Sequence, residues 1–184
     1  DDAFTGRRST GVYVERLNEL LQRETKTPKG KVSVQDYEQA FAAEETVTPG
    51  AQELVRELVR QGIKLVVHSD NLPKARQRIL ANLNRNFPGV FSPQDLFLSN
   101  EIGHLKQEGH LAFDPVLAYL NLLPEEVLLI DDKLVNAQGG AQTGIQAVIY
   151  NHANQGWLAD AVIVEPPVPP LGPRIYGPER RSEV

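Results

Sequence analysis

The sequence predicts an α/β fold: a parallel sheet with helices on both faces, preceded by a small all-helical section. Three observations lead there. From Pro49 onward, short β-branched apolar runs alternate with amphipathic segments of about ten residues, the pattern of right-handed βαβ units. The run 127–130 (VLLI) is apolar throughout, as expected of a strand covered on both faces. The 184 residues, 41% hydrophobic and 23% charged, give room for one ordinary domain with a core of its own. No internal repeat interrupts the pattern.

Each element follows from local spacing. In 12–24 (VYVERLNELLQRE), Val14, Leu17, Leu20 and Leu21 recur at helical intervals with charges between them. Residues 25–32 are a turn-rich loop. Ser33 and Asp36 stand as the ends of a capping box, opening a second helix that runs to about Ala43. A third helix covers 50–61, with Leu54, Val55, Leu58 and Val59 inward, and stops at Gly62. Then come a strand at 63–67 (IKLVV), a helix at 72–85 with Pro73 in its first turn, and a strand at 96–98. A helix beginning at Asp114-Pro115 runs over 114–121. A strand at 127–130, a helix at 133–142, a strand at 145–149 and an edge strand at 161–164 complete the core. Residues 166–184 hold 6 of the 13 prolines and read as an extended or disordered tail. The organisation expected is therefore 1–48 helical, 49–165 α/β, and 166–184 tail.

Composition narrows the chemistry. Lys+Arg 19 against Asp+Glu 24 gives a net charge of −5 with no long basic run, which argues against nucleic acid. No apolar stretch reaches the length of a membrane span and nothing at the start reads as a signal peptide, so a cytoplasmic chain is expected. Cys is zero, which excludes disulfides, Cys-ligated zinc and thiol nucleophiles. Met is zero as well and residue 1 is Asp, so a longer primary product is expected.

In open α/β sheets, ligands bind beyond the carboxyl ends of the strands. After IKLVV comes His68-Ser69-Asp70-Asn71. After LFL comes Ser99-Asn100-Glu101, with Lys106 a few residues on. After VLLI comes Asp131-Asp132, with Asn136 nearby. One rim thus gathers a hydroxyl, an ammonium and adjacent carboxylates. Paired carboxylates suit a hard cation such as Mg²⁺, while Ser and Lys suit the oxygens of a phosphoryl group. His68 should point to the face opposite Ser69 and pack there. His104 and His110 read as loop residues and Trp157 as a packing residue. Asp70 and Asn71 suit either the cleft or turn chemistry.

These segments resemble the haloacid dehalogenase-like superfamily, in its helical-cap branch. The stretch from Thr48-Pro-Gly-Ala through Val66-Val-His-Ser-Asp-Asn is similar to the helix and strand of the family's second motif, with Ser69 at the phosphate-binding position. Lys106, in Gly103-His-Leu-Lys, resembles the third-motif Lys, although Gln107 stands where Pro is usual. Leu128-Leu-Ile-Asp-Asp-Lys-Leu-Val-Asn-Ala-Gln-Gly-Gly-Ala-Gln-Thr-Gly-Ile resembles the fourth motif. The match covers 48–150. It implies a Rossmann-like core, residues 1–48 as a partial helical cap, Asp131 and Asp132 as Mg²⁺ ligands, and Ser69, Asn71 and Lys106 as substrate-binding, with Ser69 and Lys106 also catalytic.

The family's first motif, an apolar strand ending in Asp-x-Asp-x-Thr, is not matched. Asp1-Asp2-Ala3-Phe4-Thr5 places an Asp and a Thr at the right separation, but Ala3 stands at the second acid. By the family topology the missing strand lies between the Ile63–His68 and Val127–Ile130 strands. Leaving both edges buried and unpaired would cost roughly 1–3 kcal/mol per group, too much for a net stability of about 5–15 kcal/mol. Some strand is therefore expected to fill that slot. The resemblance implies an Mg²⁺-dependent phosphatase acting on a small phosphomonoester, with its aspartyl nucleophile outside the 184 residues. Alternatives are a metal-independent dehalogenase acting on a small halogenated molecule, and an inactive relative that binds a phosphorylated ligand. A homodimer and docking through the PPVPP stretch are further open alternatives.

Overall fold

A computed structural model describes residues 4–7, 9–24, 31–43, 47–73, 75–150 and 162–164. Trp157, the tail at 166–184 and residues 1–3 lie outside the described residues. Two helices come first, α1 (Thr10–Glu24) and α2 (Val34–Ala43). Asn18 ties the end of their connection to α1: its Nδ2 donates to the Val32 carbonyl at 2.9 Å and its Oδ1 accepts the Val32 N–H at 2.8 Å. The Tyr13 and Tyr37 rings meet 5.4 Å apart across the pair. The capping box at α2 forms as the sequence predicts. Ser33 N–H donates to Asp36 Oδ2 at 3.0 Å, and Asp36 N–H donates to Ser33 Oγ at 3.0 Å.

The α/β part runs α3 (Ala51–Arg60), β1 (Val67–Ser69), α4 (Ala75–Asn86), β2 (Leu96–Leu98), α5 (Ser99–Ile102), α6 (His110–Leu120), β3 (Leu128–Asp131), α7 (Leu134–Gln142), β4 (Gln146–Ile149) and β5 (Val162–Val164). β1 and β2 pair in parallel, with His68 opposite Phe97. β3 and β4 pair in parallel, with Leu129 opposite Ala147, and β5 adds antiparallel at the edge of β4. The described strands therefore form two sheets, β1-β2 and β3-β4-β5. Each has its own core. Ala75 and Ile79 of α4 pack on Leu96 and Leu98, while Ala112 and Phe113 of α6 pack with Ile145, Val127 and Leu129.

Four expectations change. The strand expected at 63–67 begins only at Val67, because a strand needs a partner and β2 meets β1 only from Val67 onward. The helix expected from Asp114 starts at His110, where the Gly109 carbonyl accepts the Ala112 and Phe113 N–H groups. Pro115 then lies inside it, and the carbonyl it leaves without an N–H belongs to Leu111, a residue 58% exposed to water. Pro73 precedes α4 rather than sitting in its first turn.

The fourth change concerns the seam between the sheets. No described strand bridges β1 and β3. Leu128 (51% exposed) and Ile130 (37%) are not covered on their face of β3, contrary to the burial expected from VLLI, and α3 buries none of its residues fully.

Candidate active site

Two cavities open along this seam. One, of about 300 Å³, is lined by Ile130, Asp131, Asp132 and Tyr150 together with Thr48 and Ala51. The other, of about 430 Å³, is lined by Val67, Ser69, Asp70 and Asn71, again with Thr48 and Ala51. The segment leading into α3 thus borders both, with the carboxyl ends of β1 and β3 on either side.

Asp131 is the most heavily engaged group. β3 delivers it buried. Its Oδ2 accepts the Lys106 ammonium. Its Oδ1 accepts the Lys133 N–H at 2.9 Å and Asn136 Nδ2 at 3.0 Å. Burial alone would raise this carboxyl, but the adjacent Lys106 charge and these three donors hold it below the ordinary carboxylate range. Asp132, next in the chain, is exposed and faces the first cavity. Lys106 is only 7% exposed, although it lies in a short 3₁₀ turn, Lys106–Glu108.

The loop after β1 is organised around Asn71. Its N–H donates to Ser99 Oγ at 2.9 Å, its Nδ2 reaches Ser69 Oγ at 3.3 Å, and its Oδ1 accepts Arg78 Nη2 at 3.4 Å. Ser99, completely buried, donates its own O–H to the Phe4 carbonyl at 2.5 Å. Asp70 Oδ1 accepts the Lys106 N–H at 3.1 Å, joining this loop to the lysine turn. Burial raises the Asp70 carboxyl, with Lys106 opposing.

The structure thus brings Lys106, Asp131 and Asn136 into direct contact, with Asp132 beside them. It gathers Ser69, the last residue of β1, and Asn71 of the following loop at the neighbouring strand end. His68 packs as expected, its ring 4.9 Å from that of Phe113. Both its nitrogens are buried without a partner, and burial pushes its imidazole down to about 3, with Lys106 adding to that effect. His104 and His110 bond to Glu108 and Asp114 one turn away. Sequence reasoning placed Ser99 on the rim but gave it no part. The signal available was its position directly after β2.

Among the described residues, no group of three or more His, Cys, Asp or Glu side chains could enclose a metal. The donor set still fits a hard divalent cation. Mg²⁺ is ordinarily held by one or two carboxylates, with water and substrate oxygens filling its other positions, and Asp131-Asp132 offers that pair at a strand end.

The profile of the family described as haloacid dehalogenase-like hydrolase matches residues 6–144. The chain belongs to the haloacid dehalogenase-like hydrolases. Solved structures share this haloacid dehalogenase-like fold. A predicted HAD-like family hydrolase of Porphyromonas gingivalis superposes with a TM-score of 0.60 at 19% identity, over 86% of this chain and 74% of that one. A HAD-family enzyme of Bacteroides thetaiotaomicron, in complex with magnesium and inorganic phosphate, gives 0.59 at 19%, over 86% and 76%. A putative β-phosphoglucomutase of Bacteroides vulgatus gives 0.50 at 22%, over 82% and 59%. No functionally curated protein matches the chain. Among the described residues of this haloacid dehalogenase-like chain, no helix is long and apolar enough to cross a membrane.

Proposed function

We propose that the chain is an Mg²⁺-dependent phosphatase of small phosphomonoesters, with residues 1–48 as part of its cap. The observation that carries this reading is the buried Lys106–Asp131 pair beside the exposed Asp132. A buried ammonium and two adjacent carboxylates at a strand end suit a phosphoryl group and its counter-cation. The ammonium would suit a haloacid's carboxylate as well, but the adjacent second carboxylate has little use in a metal-independent dehalogenase. The similar Bacteroides thetaiotaomicron enzyme was obtained with magnesium and inorganic phosphate, which supports the same reading.

In this scheme Asp131 and Asp132 hold the cation, which draws charge from the phosphoryl oxygens. Ser69 Oγ donates to one oxygen, and Asn71 steadies that hydroxyl from 3.3 Å. Lys106 neutralises charge that grows as the ester bond breaks. α1 and α2 restrict water and select the alcohol. The nucleophile is an aspartate on a strand seated between β1 and β3, a place that no described strand fills.

Calorimetric titration with orthophosphate tests this reading. Binding is expected only with Mg²⁺, and it should be lost in Asp132→Ala and Lys106→Ala. Affinity indifferent to Mg²⁺ and to Asp132→Ala overturns it. Phosphate binding without turnover of an aryl phosphate, in a protein whose slot holds a strand lacking both acids, favours the inactive binding relative.

A further inference from the structure

We propose that Asp70 and Gly139 are positioning residues that fix Lys106 from opposite sides. The proposal rests on the reading of Lys106 as a phosphoryl-holding group. A lysine in a surface turn normally keeps its ammonium in water and is almost never buried unless paired. Lys106 is buried, and its turn belongs to no strand or long helix that could hold it. Something else must fix its backbone.

On one side that is Asp70. Its carboxylate accepts the Lys106 main-chain N–H at 3.1 Å, across 36 residues of sequence. This contact fixes the backbone whatever the side chain does. On the other side is α7. A Cβ at position 139 would lie 2.1 Å from the Lys106 carbonyl oxygen and 2.9 Å from Gln107 Cα, so the helix and the turn are in backbone contact. Glycine inside a helix costs about 1 kcal/mol relative to alanine, and Gly139 has no left-handed φ that would call for it. The close approach explains the residue. Neighbouring Gly140 differs: its added Cβ would meet the tip of the Leu129 side chain at 2.7 Å, which can move.

The geometry has a consequence for the site. α7 carries Asn136, which bonds Asp131 Oδ1, while Asp131 Oδ2 takes the Lys106 ammonium. Pressing α7 onto the turn therefore sets the distance between ammonium and carboxylate. Asp70, one residue after Ser69, ties that same turn to the loop that carries the phosphate-holding hydroxyl. Lys106 is held in one place relative to both partners before any ligand arrives.

Amine acetylation of the whole folded chain, read residue by residue by mass spectrometry, tests the proposal. In the parent, Lys106 should react slowly and the exposed Lys133 quickly. Asp70→Ala and Gly139→Ala should speed labelling of Lys106 about tenfold and leave Lys133 unchanged, while Asp70→Asn, whose amide oxygen still accepts the N–H, should stay near the parent. Unchanged Lys106 labelling in both variants overturns the proposal. So does acceleration at Lys106 that is matched at Lys64 and Lys133, since that reports general loosening. Orthophosphate binding adds a functional readout. Asp70→Ala should weaken it about five- to tenfold, while Asp70→Asn, which keeps the acceptor for the Lys106 N–H, should stay near the parent; an equal loss in both variants overturns the proposal. If Lys106 labelling responds as expected but the parent binds no phosphate, the positioning stands and the phosphatase reading fails.

Discussion

The two faces of β3 are built to different standards. On one, Leu129 enters a core with Phe113 and Ile145, and α7 lies close enough for Gly139 to touch the Lys106 turn. On the other, Leu128 and Ile130 stand exposed beside a cavity, and α3 is half buried at best. Asp131 ends the same strand and faces both conditions. Its bonds to Lys106 and Asn136 belong to the packed face, while the cavity wall it shares with Asp132 belongs to the open one. The difference teaches that Lys106, Asp131 and Asn136 are held by packing and hydrogen bonds on one face, while the cavity face of β3 is loosely walled.

Breaking the packed side should have the largest effect. Lys106→Ala leaves the buried Asp131 carboxylate without its cation and should cost about 3–5 kcal/mol in urea unfolding. A loss below about 1 kcal/mol would mean that the pair is effectively solvated.

Acid should act on the packed side as well. The His68 imidazole is depressed to about 3 in the folded chain against an ordinary 6.5. The unfolded chain therefore takes up the proton first. The stability this group contributes is fully present above about pH 6.5 and is lost as pH falls from there toward 3, at about 1.4 kcal/mol per pH unit. His68→Phe should flatten the urea midpoint between pH 6.5 and 5. A slope that survives the substitution assigns the acid sensitivity elsewhere.

Paired truncations sharpen the contrast directly. Leu129→Ala should cost about 2 kcal/mol or more, because it empties packed volume. Leu128→Ala, one residue away on the open face, should cost about 0.5 kcal/mol or less. Similar losses in thermal melts would show that both faces are covered in solution.

A small effect should also come from the far end of β2. There, buried Asp95 accepts the Lys64 ammonium, the Ser92 N–H at 2.8 Å and the Tyr119 hydroxyl at 2.9 Å. Burial opposes ionisation of Asp95, but these donors hold its carboxyl well below the usual range. Lys64 itself is half exposed, so Lys64→Ala should cost no more than about 1 kcal/mol.

Much of this was legible in the residues. Ser33 and Asp36 announced a capping box because that signal is local, and Gly62 announced the end of α3, where the Ile63 N–H closes back on the Leu58 carbonyl. The roster of rim residues was also readable, since strand ends can be found from apolar runs alone. Partnership was not. Ile63 to Val66 look like strand by composition, yet pairing begins only at Val67, a fact that depends on β2 thirty residues away. The exposure of Leu128 was hidden for the same reason, because an apolar run does not say what lies across from it. Pro115 pointed to a helix start by a local rule, while Gly109 supplied the actual one. Asp70 suited either the cleft or turn chemistry, and nothing in its neighbours revealed that it accepts the Lys106 N–H.

The contacts that join the two sheets have a consequence for motion. Backbone pairing among the described strands runs within β1-β2 and within β3-β4-β5. Side chains cross between them: His68 packs on Phe113, Asp70 accepts the Lys106 N–H, and the Tyr119 hydroxyl donates to Asp95. Amide protons of β2 and β4 should therefore exchange with solvent in one shared opening, coupled through side chains rather than through strand pairing.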